Sequence, residues 1–547
     1  DVLAPVTRFL LVGGVLLCLF QLIGMRYWRV CLRDRSFRDS LLIFGCLVGL
    51  ALICSLTGEL SVIDDFSYWA IIGKSISTYN ALPVADTSIF ARHLTYTPGL
   101  ALVQYFFLGA SGHYSLYVTY FAQNIFLFSL LFAITDTRNN RESCLLIAIT
   151  IILLVFFSGS VLQKLRVDHF LSLIGFAVLW LQLRAGHTWS RFLVICVCIT
   201  TLFLVKEVGF LVALFLLIFL LLDLGMRKDL VKREKLLYLA LTIFVLLYMI
   251  GQRYAWGEHC AALGFKEFHN AITLDKLREA FDLSHNGQSR RAFVLFVKNM
   301  VIGPADGLKL PYLFWYALLV FVAYRTRVYL SEEERGRYVR LMLLALPFFL
   351  LYLGMNYVLQ YVVFGLGSRI DHPTSLARYI NIFFLDFVLL TMSTWLIANS
   401  GTKKKYQTVL LAVAAILVVV TTLPENKKPF EREIEVLAKQ LKPYMAGDSR
   451  VCITPGNGND HYLGFRLLYY LFPNHFTVDP FPGRSGGQNI EKKLERCDYL
   501  LVFHPDNQTT RVFGKYVEGS LTHKGLYAVV RDPKKPVKID LEPCFEQ

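Results

Sequence analysis

RFLVICVCITTLFLVKEVGFLVALFLLIFLLLD, residues 191–223, decides what kind of protein this is. A membrane-spanning helix takes about 20 apolar residues. This run is too long for one span and fits two short ones. Lys206-Glu207 interrupts it near the middle. Two charges at bilayer depth are costly, so the pair belongs at a turn between two spans. A self-paired ion pair at a helix junction is the plainer reading of the same dipeptide.

The rest of the chain repeats the pattern. Apolar stretches suited to spans lie near 8–25, 40–58, 114–134, 143–159, 168–183, 191–205, 208–223, 236–252, 311–325, 340–359, 379–398 and 406–422, twelve in all. Of the 547 residues, 55% are hydrophobic and 18% charged, and the mean hydropathy is +0.48. A soluble chain carries about 25% charged residues. The composition excludes a soluble cytosolic enzyme and a disordered protein. The net charge of +15 comes from loops rather than a compact basic domain, which argues against nucleic acid. Arg26 to Arg38, Arg138 and Arg141, Arg184 and Arg191, Arg227 to Lys235, Arg325 to Arg340 and Lys403 to Lys405 all fall on one side of a twelve-span count. The positive-inside rule makes that side cytoplasmic. Both ends and the loops 59–113, 253–310 and 360–378 are then expected outside, in a periplasm or equivalent lumen of an inner or plasma membrane.

Residues 1–423 therefore read as a membrane domain and 424–547 as an extramembrane tail. The tail suggests a helix at 430–445, a strand at 449–454, an amphipathic helix near 460–471 and a strand at 499–503. Alternating helix and strand points to a small α/β domain. Cys452, Cys497 and Cys544 lie in it, where an oxidising compartment allows one disulfide among the three.

Chemistry concentrates at the outer boundary. Asp64-Asp65-Phe66-Ser67-Tyr68-Trp69 opens the first outer loop just beyond a span. Adjacent residues on a helix do not share a face, so one carboxylate can enter a cavity while its neighbour caps the helix over 66–77. Capping alone is the plainer reading. The loop closes with Tyr96-Thr97-Pro98-Gly99 and an apolar stretch, 100–110, suited to an interfacial helix. Lys164, Arg166, Asp168 and His169 stand at the mouth of a later span. Asp64, Asp65 and Asp168 together can share one divalent cation, Mg or Mn, through oxygen ligands. An exposed Arg166–Asp168 pair is the alternative. Arg369, His372, Arg378 and Tyr379 lie where 360–378 meets a span. Arginine there can grip phosphate with a bidentate fork or simply snorkel to headgroups.

This order of motifs resembles the GT-C superfamily of membrane glycosyltransferases, in particular protein O-mannosyltransferases and the undecaprenyl-phosphate-aminoarabinose transferases. The matching features are the acidic pair Asp64-Asp65 with its aromatic helix, the turn at Tyr96, Arg166-Val167-Asp168 opening a span, Lys206 between two short spans, and Arg378-Tyr379 opening a late one. The resemblance covers about residues 40–400, and it departs in Asp-Asp where many relatives have Asp-Glu and in Glu207 where Gly is common. It implies a GT-C arrangement of helices and transfer of a sugar from a polyprenyl-phosphate donor to a glycan, lipid or protein acceptor, with inversion. It implies Asp64 as base, with Asp65 orienting it or ligating metal. Arg378, Tyr379, Lys206 and Arg369 would then meet the donor phosphate, and Tyr68, Trp69, Tyr96, Arg166 and His372 would line the cavity. A lipid or polysaccharide transporter would show matching halves and midplane charges, and an O-antigen ligase or polymerase would use a diphosphate donor. The sequence shows no matching halves and its ionisable residues cluster at the outer boundary, which argues against the first, and the early Asp64-Asp65 pair argues against the second.

Overall fold

The computed structural model describes residues 35–60, 64–82, 95–135, 140–159, 161–184, 189–227, 230–263, 272–305, 309–367, 371, 375–400 and 413. In the tail it describes 429–445, 449–454, 463–472, 476–477, 494, 497–503, 510–511, 513–517, 520–521, 524–531 and 539–545. The chain is a helical membrane protein with a small mixed sheet near its end.

Each of the ten expected spans between 40 and 398 is a helix. They are α1 (Arg35–Thr57), α4 (Leu116–Ala133), α5 (Asn140–Ser158), α6 (Asp168–Arg184), α7 (Trp189–Val205), α8 (Gly209–Met226), α9 (Lys232–Ala262), α12 (Tyr312–Thr326), α13 (Glu332–Val362) and α14 (Leu376–Ser400). Six contain a stretch long and apolar enough to cross a membrane: α1, α4, α8, α9, α13 and α14. The helices at 142–158, 168–183, 189–205 and 312–326 are apolar but shorter. The expected spans at 8–25 and 406–422 lie outside the described residues. Among the described residues, then, six helices are long and apolar enough to cross a membrane, against the twelve spans expected. Helix α9 also runs ten residues past Gln252, so the expected segment 253–310 begins as a continuation of a helix.

Between the spans lie a π-helical turn (Asp65–Trp69), α2 (Ala70–Tyr79), α3 (Gly99–Ser111), α10 (Leu274–Phe281) and α11 (Gly287–Ile302). The helix expected over 66–77 is thus two pieces, and the stretch at 100–110 is helical as expected.

Helices α6 and α14 form the centre of the bundle, packed against each other along their length. The span in α14 is 83% buried, against 22% for the one in α9. Leu173, Ile174 and Phe176 on α6 and Ile380, Ile382 and Leu389 on α14 leave no accessible surface or almost none. Helices α7 and α8 meet at the turn 206–208, as the interrupted run of residues 191–223 implied. The tightness of that turn requires Gly209, where a Cβ would stand 2.1 Å from the Leu202 carbonyl oxygen. At the far end of the bundle, buried Asp223 of α8 gathers Arg227 (3.2 Å), Arg337 (3.6 Å) and Arg340 (3.7 Å).

The tail holds α15 (Pro429–Leu441), α16 (Leu463–Leu471) and five strands: β1 (Val451–Thr454), β2 (Phe476–Thr477), β3 (Tyr499–Val502), β4 (Gly525–Arg531) and β5 (Ile539–Phe545). The sheet order is β2-β1-β3-β4-β5. The first three strands are parallel, and β3-β4 and β4-β5 are antiparallel. Ile434, Leu437 and Leu441 of α15 face Leu463, Leu467 and Leu471 of α16 over the sheet. Of the three tail cysteines, Cys452 is joined to Cys497.

Helix α16 also docks on the membrane domain. Tyr469 and Phe472 enter the bundle's apolar cluster. The Tyr469 ring sits edge-on to Phe66, 5.7 Å between centres. Lys74 of α2 donates to the Tyr469 carbonyl at 2.7 Å and stands 4.6 Å from the centre of its ring. Phe472 and Tyr114 close around the same ammonium at 5.5 and 5.8 Å.

Candidate functional site

Four elements bring charge to one end of the bundle: the chain after α1, the start of α6, the α7–α8 turn and the start of α14. Asp64 sits at the N-cap position of the π-turn, with helical φ and ψ, and makes no side-chain capping bond. The capping role expected as the plainer reading is therefore not what holds it. Its Oδ2 accepts from Arg378 Nη1 at 2.5 Å. Arg378 Nε lies 3.0 Å from Asp168 Oδ2. That contact is an ion pair rather than an aligned hydrogen bond, since the Nε–H has no acceptor in line. Asp168 Oδ1 accepts from Lys206 at 2.6 Å. One chain of charge thus runs Asp64–Arg378–Asp168–Lys206, linking residues up to 314 apart in sequence.

This network decides between the readings left open above. Lys206 is engaged by Asp168 of α6 at 2.6 Å. Asp168 is 8% exposed, so it belongs to no surface pair with Arg166. Arg378 grips two carboxylates and does not snorkel. Burial works to raise the Asp64 pKa, but the Arg378 guanidinium, helped by Arg166, outweighs it and holds the carboxyl below its ordinary range.

Aromatic rings wall the network. Tyr68 and Trp69 meet edge-on at 4.5 Å, and Trp69 stacks on Tyr96 at 5.8 Å. Tyr68 donates to the Tyr96 carbonyl at 2.7 Å. Lys206 Nζ stands 4.6 Å from the Tyr379 ring centre and 5.6 Å from that of Tyr96, and the two tyrosines are hydrogen-bonded to each other. Two contacts fix the loop that carries Tyr96: Trp256 Nε1 donates to Thr95 O at 2.7 Å, and Thr97 Oγ1 to Phe203 O at 2.8 Å. Tyr352 steadies α14 from below by donating to the Tyr379 carbonyl at 2.6 Å.

Asp64, Asp168, Lys206, Arg378, Tyr379, Tyr68, Trp69 and Tyr96 therefore assemble as one site. Asp65 is fully buried in the π-turn, and its charge bears on Tyr120 of α4. Arg369 and His372 lie outside the described residues. The proposed three-carboxylate metal site meets a difficulty of donor supply. Both oxygens of Asp168 and one of Asp64 already face cationic side chains. Among the described residues no group of three or more His, Cys, Asp or Glu side chains is placed to hold a metal ion.

The supporting residues Trp256 and Tyr352 carry no signal for the site in the sequence. His169 is legible beside Asp168 at the span mouth, but neither Trp256 nor Tyr352 stands in a motif. No family model, curated protein or solved structure matches this chain.

Proposed function

We propose that the protein is an integral membrane glycosyltransferase that moves a sugar from a polyprenyl-phosphate donor to a hydroxyl acceptor on the extracytoplasmic face, with inversion. The observation that carries this reading is the chain of two carboxylates and two cations at one end of the bundle, walled by aromatic rings. The link between Cys452 and Cys497 supports an oxidising compartment for the docked tail, and so for the site beside it.

The charges suit the reaction. Asp64 and Asp168 count −2, and the cations that bear on them, Arg378, Lys206 and Arg166, count +3. The surplus of +1 matches a sugar–phosphate–lipid diester, which carries one negative charge. In the reaction Asp64 removes the acceptor hydroxyl proton as the acceptor oxygen attacks the anomeric carbon. The bond from that carbon to the phosphate oxygen breaks, and the electron pair leaves with the lipid phosphate. Protonating Asp64 raises the site to +2, while the leaving monoester approaches −2. The centre is neutral before and after the step, so no charge need enter from solvent. Fixed cations aimed at charge that develops during reaction are among the largest catalytic effects available to a protein. Attack by the acceptor opposite the phosphate inverts the anomeric centre, as in single-displacement glycosidases.

The test uses purified protein, a panel of polyprenyl-phosphate sugars and a cell-envelope extract as acceptor source, with release of polyprenyl phosphate as readout. Turnover in the parent and loss by a factor of about 10²–10⁴ in Asp64→Asn is expected. Normal turnover by the variant removes Asp64 as base. Absence of turnover with every donor overturns the reading.

A further inference from the structure

Arg378 and Lys206 are already spent on carboxylates, so neither can take up a phosphate without surrendering an ion pair. Arg166 differs. Its Nε is buried with no hydrogen-bond partner, and among the described residues it makes no ion pair. Its charge still reaches the site, where it acts on Asp64 and on His169. His169 is 4% exposed, and its Nε2 is also buried without a partner. A buried polar atom left unmet costs about 1–3 kcal/mol, so two beside one ionic centre call for a ligand that satisfies both. An acceptor of hydrogen bonds with negative charge does so, and a planar guanidinium beside an imidazole favours phosphate oxygens. Arg166 is also the group that carries the surplus positive charge counted above.

We propose that Arg166 and His169 form the seat of a lipid-linked phosphate, with Arg378 and Lys206 retained on the two aspartates when that phosphate arrives. The proposal rests on the transferase reading for the identity of the lipid. It assigns division of labour within the site: one cation pair holds the acid–base machinery in place, and a separate pair receives the substrate anion. His169 Nε2 donates to one phosphate oxygen and Arg166 Nε to another. The Phe170 ring, 4.5 Å from that of His169, limits how far the imidazole can turn.

The experiment measures binding rather than turnover. Purified protein in detergent is titrated with radiolabelled polyprenyl phosphate at constant ionic strength, with polyprenol and inorganic phosphate as competitors. Arg166→Gln is expected to weaken binding by a factor on the order of 10–100, and His169→Phe by several-fold. Arg166→Lys should recover part of the loss, which a folding defect in Arg166→Gln would not allow; melting midpoints are recorded alongside. Competition by inorganic phosphate alone, with no gain from the lipid, assigns the seat to free phosphate and overturns the lipid assignment. Unchanged affinity in Arg166→Gln overturns the proposal. Binding that depends on Arg166 in a protein with no transferase activity would leave the seat standing and remove only the transferase reading.

Discussion

Replacing Arg378 with Gln tests whether the ionic chain is held together by that one guanidinium. The change removes the 2.5 Å contact to Asp64 and the 3.0 Å contact to Asp168. Breaking a buried pair by deleting one partner costs about 3–5 kcal/mol, because the other charge is stranded. Two features reduce that figure here. Asp168 keeps Lys206 at 2.6 Å. The Asp64 side chain is 29% exposed, which moves its share toward the roughly 1 kcal/mol or less of surface pairs. A loss of about 2–3 kcal/mol follows. The sign of the pH dependence is fixed by Asp64. Its carboxyl is held below the ordinary range despite burial, by Arg378. Its contribution is therefore complete above the unfolded value, about 3.9, and is lost as pH falls through the folded one. Chemical unfolding in detergent should show the full gap between parent and variant at pH 7 and a smaller one at pH 3. Asp64→Asn added to Arg378→Gln should recover part of the loss at pH 7. An equal gap at both pH values, with no recovery in the double variant, would refute the reasoning.

Two further outcomes follow from packing and docking. Gly175 of α6 faces Asp386 of α14 so closely that a Cβ would lie 2.2 Å from Oδ2; Gly175→Ala should cost about 1–3 kcal/mol, Asp386→Ala should relieve that clash, and a double-mutant cycle showing simple additivity would contradict it. Burial among the rings of α16, with Lys442 nearby, pushes the Lys74 ammonium down to about 8 from its ordinary 10.5. The docked state then binds fewer protons than the undocked one above pH 8, so docking should strengthen by about 2 kcal/mol between pH 7 and pH 9.5. Limited proteolysis of the tail under mild denaturant reads this out, and Lys74→Met should abolish the pH dependence.

The ten helices between 40 and 398 that match expected spans were legible because each carries an apolar run, whereas α10 and α11 are charged and lay within the expected loop 253–310. Lys206 marked its turn because charge is expensive at depth. The acidic pair and Arg378 were legible as candidates for the same reason. Their pairing was not. Arg378 and Asp64 are joined only because the start of α14 reaches the cap of the π-turn, 314 positions away, and no local spacing carries that information. Lys206 had a nearer apparent partner in Glu207, and only the approach of α6 to the α7–α8 turn brings Asp168 within 2.6 Å. The π-turn was read as plain helix because its residues, Asp65 to Trp69, carry no signal for an extra residue per turn. In the tail, Gly525-Leu526-Tyr527-Ala528-Val529-Val530-Arg531 lacks clean alternation, so β4 and its partner β5 escaped notice. Tyr469 and Phe472 were visible only as the apolar face of an amphipathic helix, with nothing to say that part of that face leaves its own domain.

The clasp of Lys74 on the Tyr469 carbonyl spans 395 positions of chain. At roughly 5–20 residues per second, a ribosome needs about 20–80 s to travel from one to the other. Phe66, next to the acidic pair, waits that long for the ring that covers it. The acidic turn thus stays without its cover while the helices up to α14 are made, and a segment that follows them closes it. Covering of the acidic turn is in this way tied to synthesis of α16, so a chain cut before Leu463 would leave Phe66 without the Tyr469 ring.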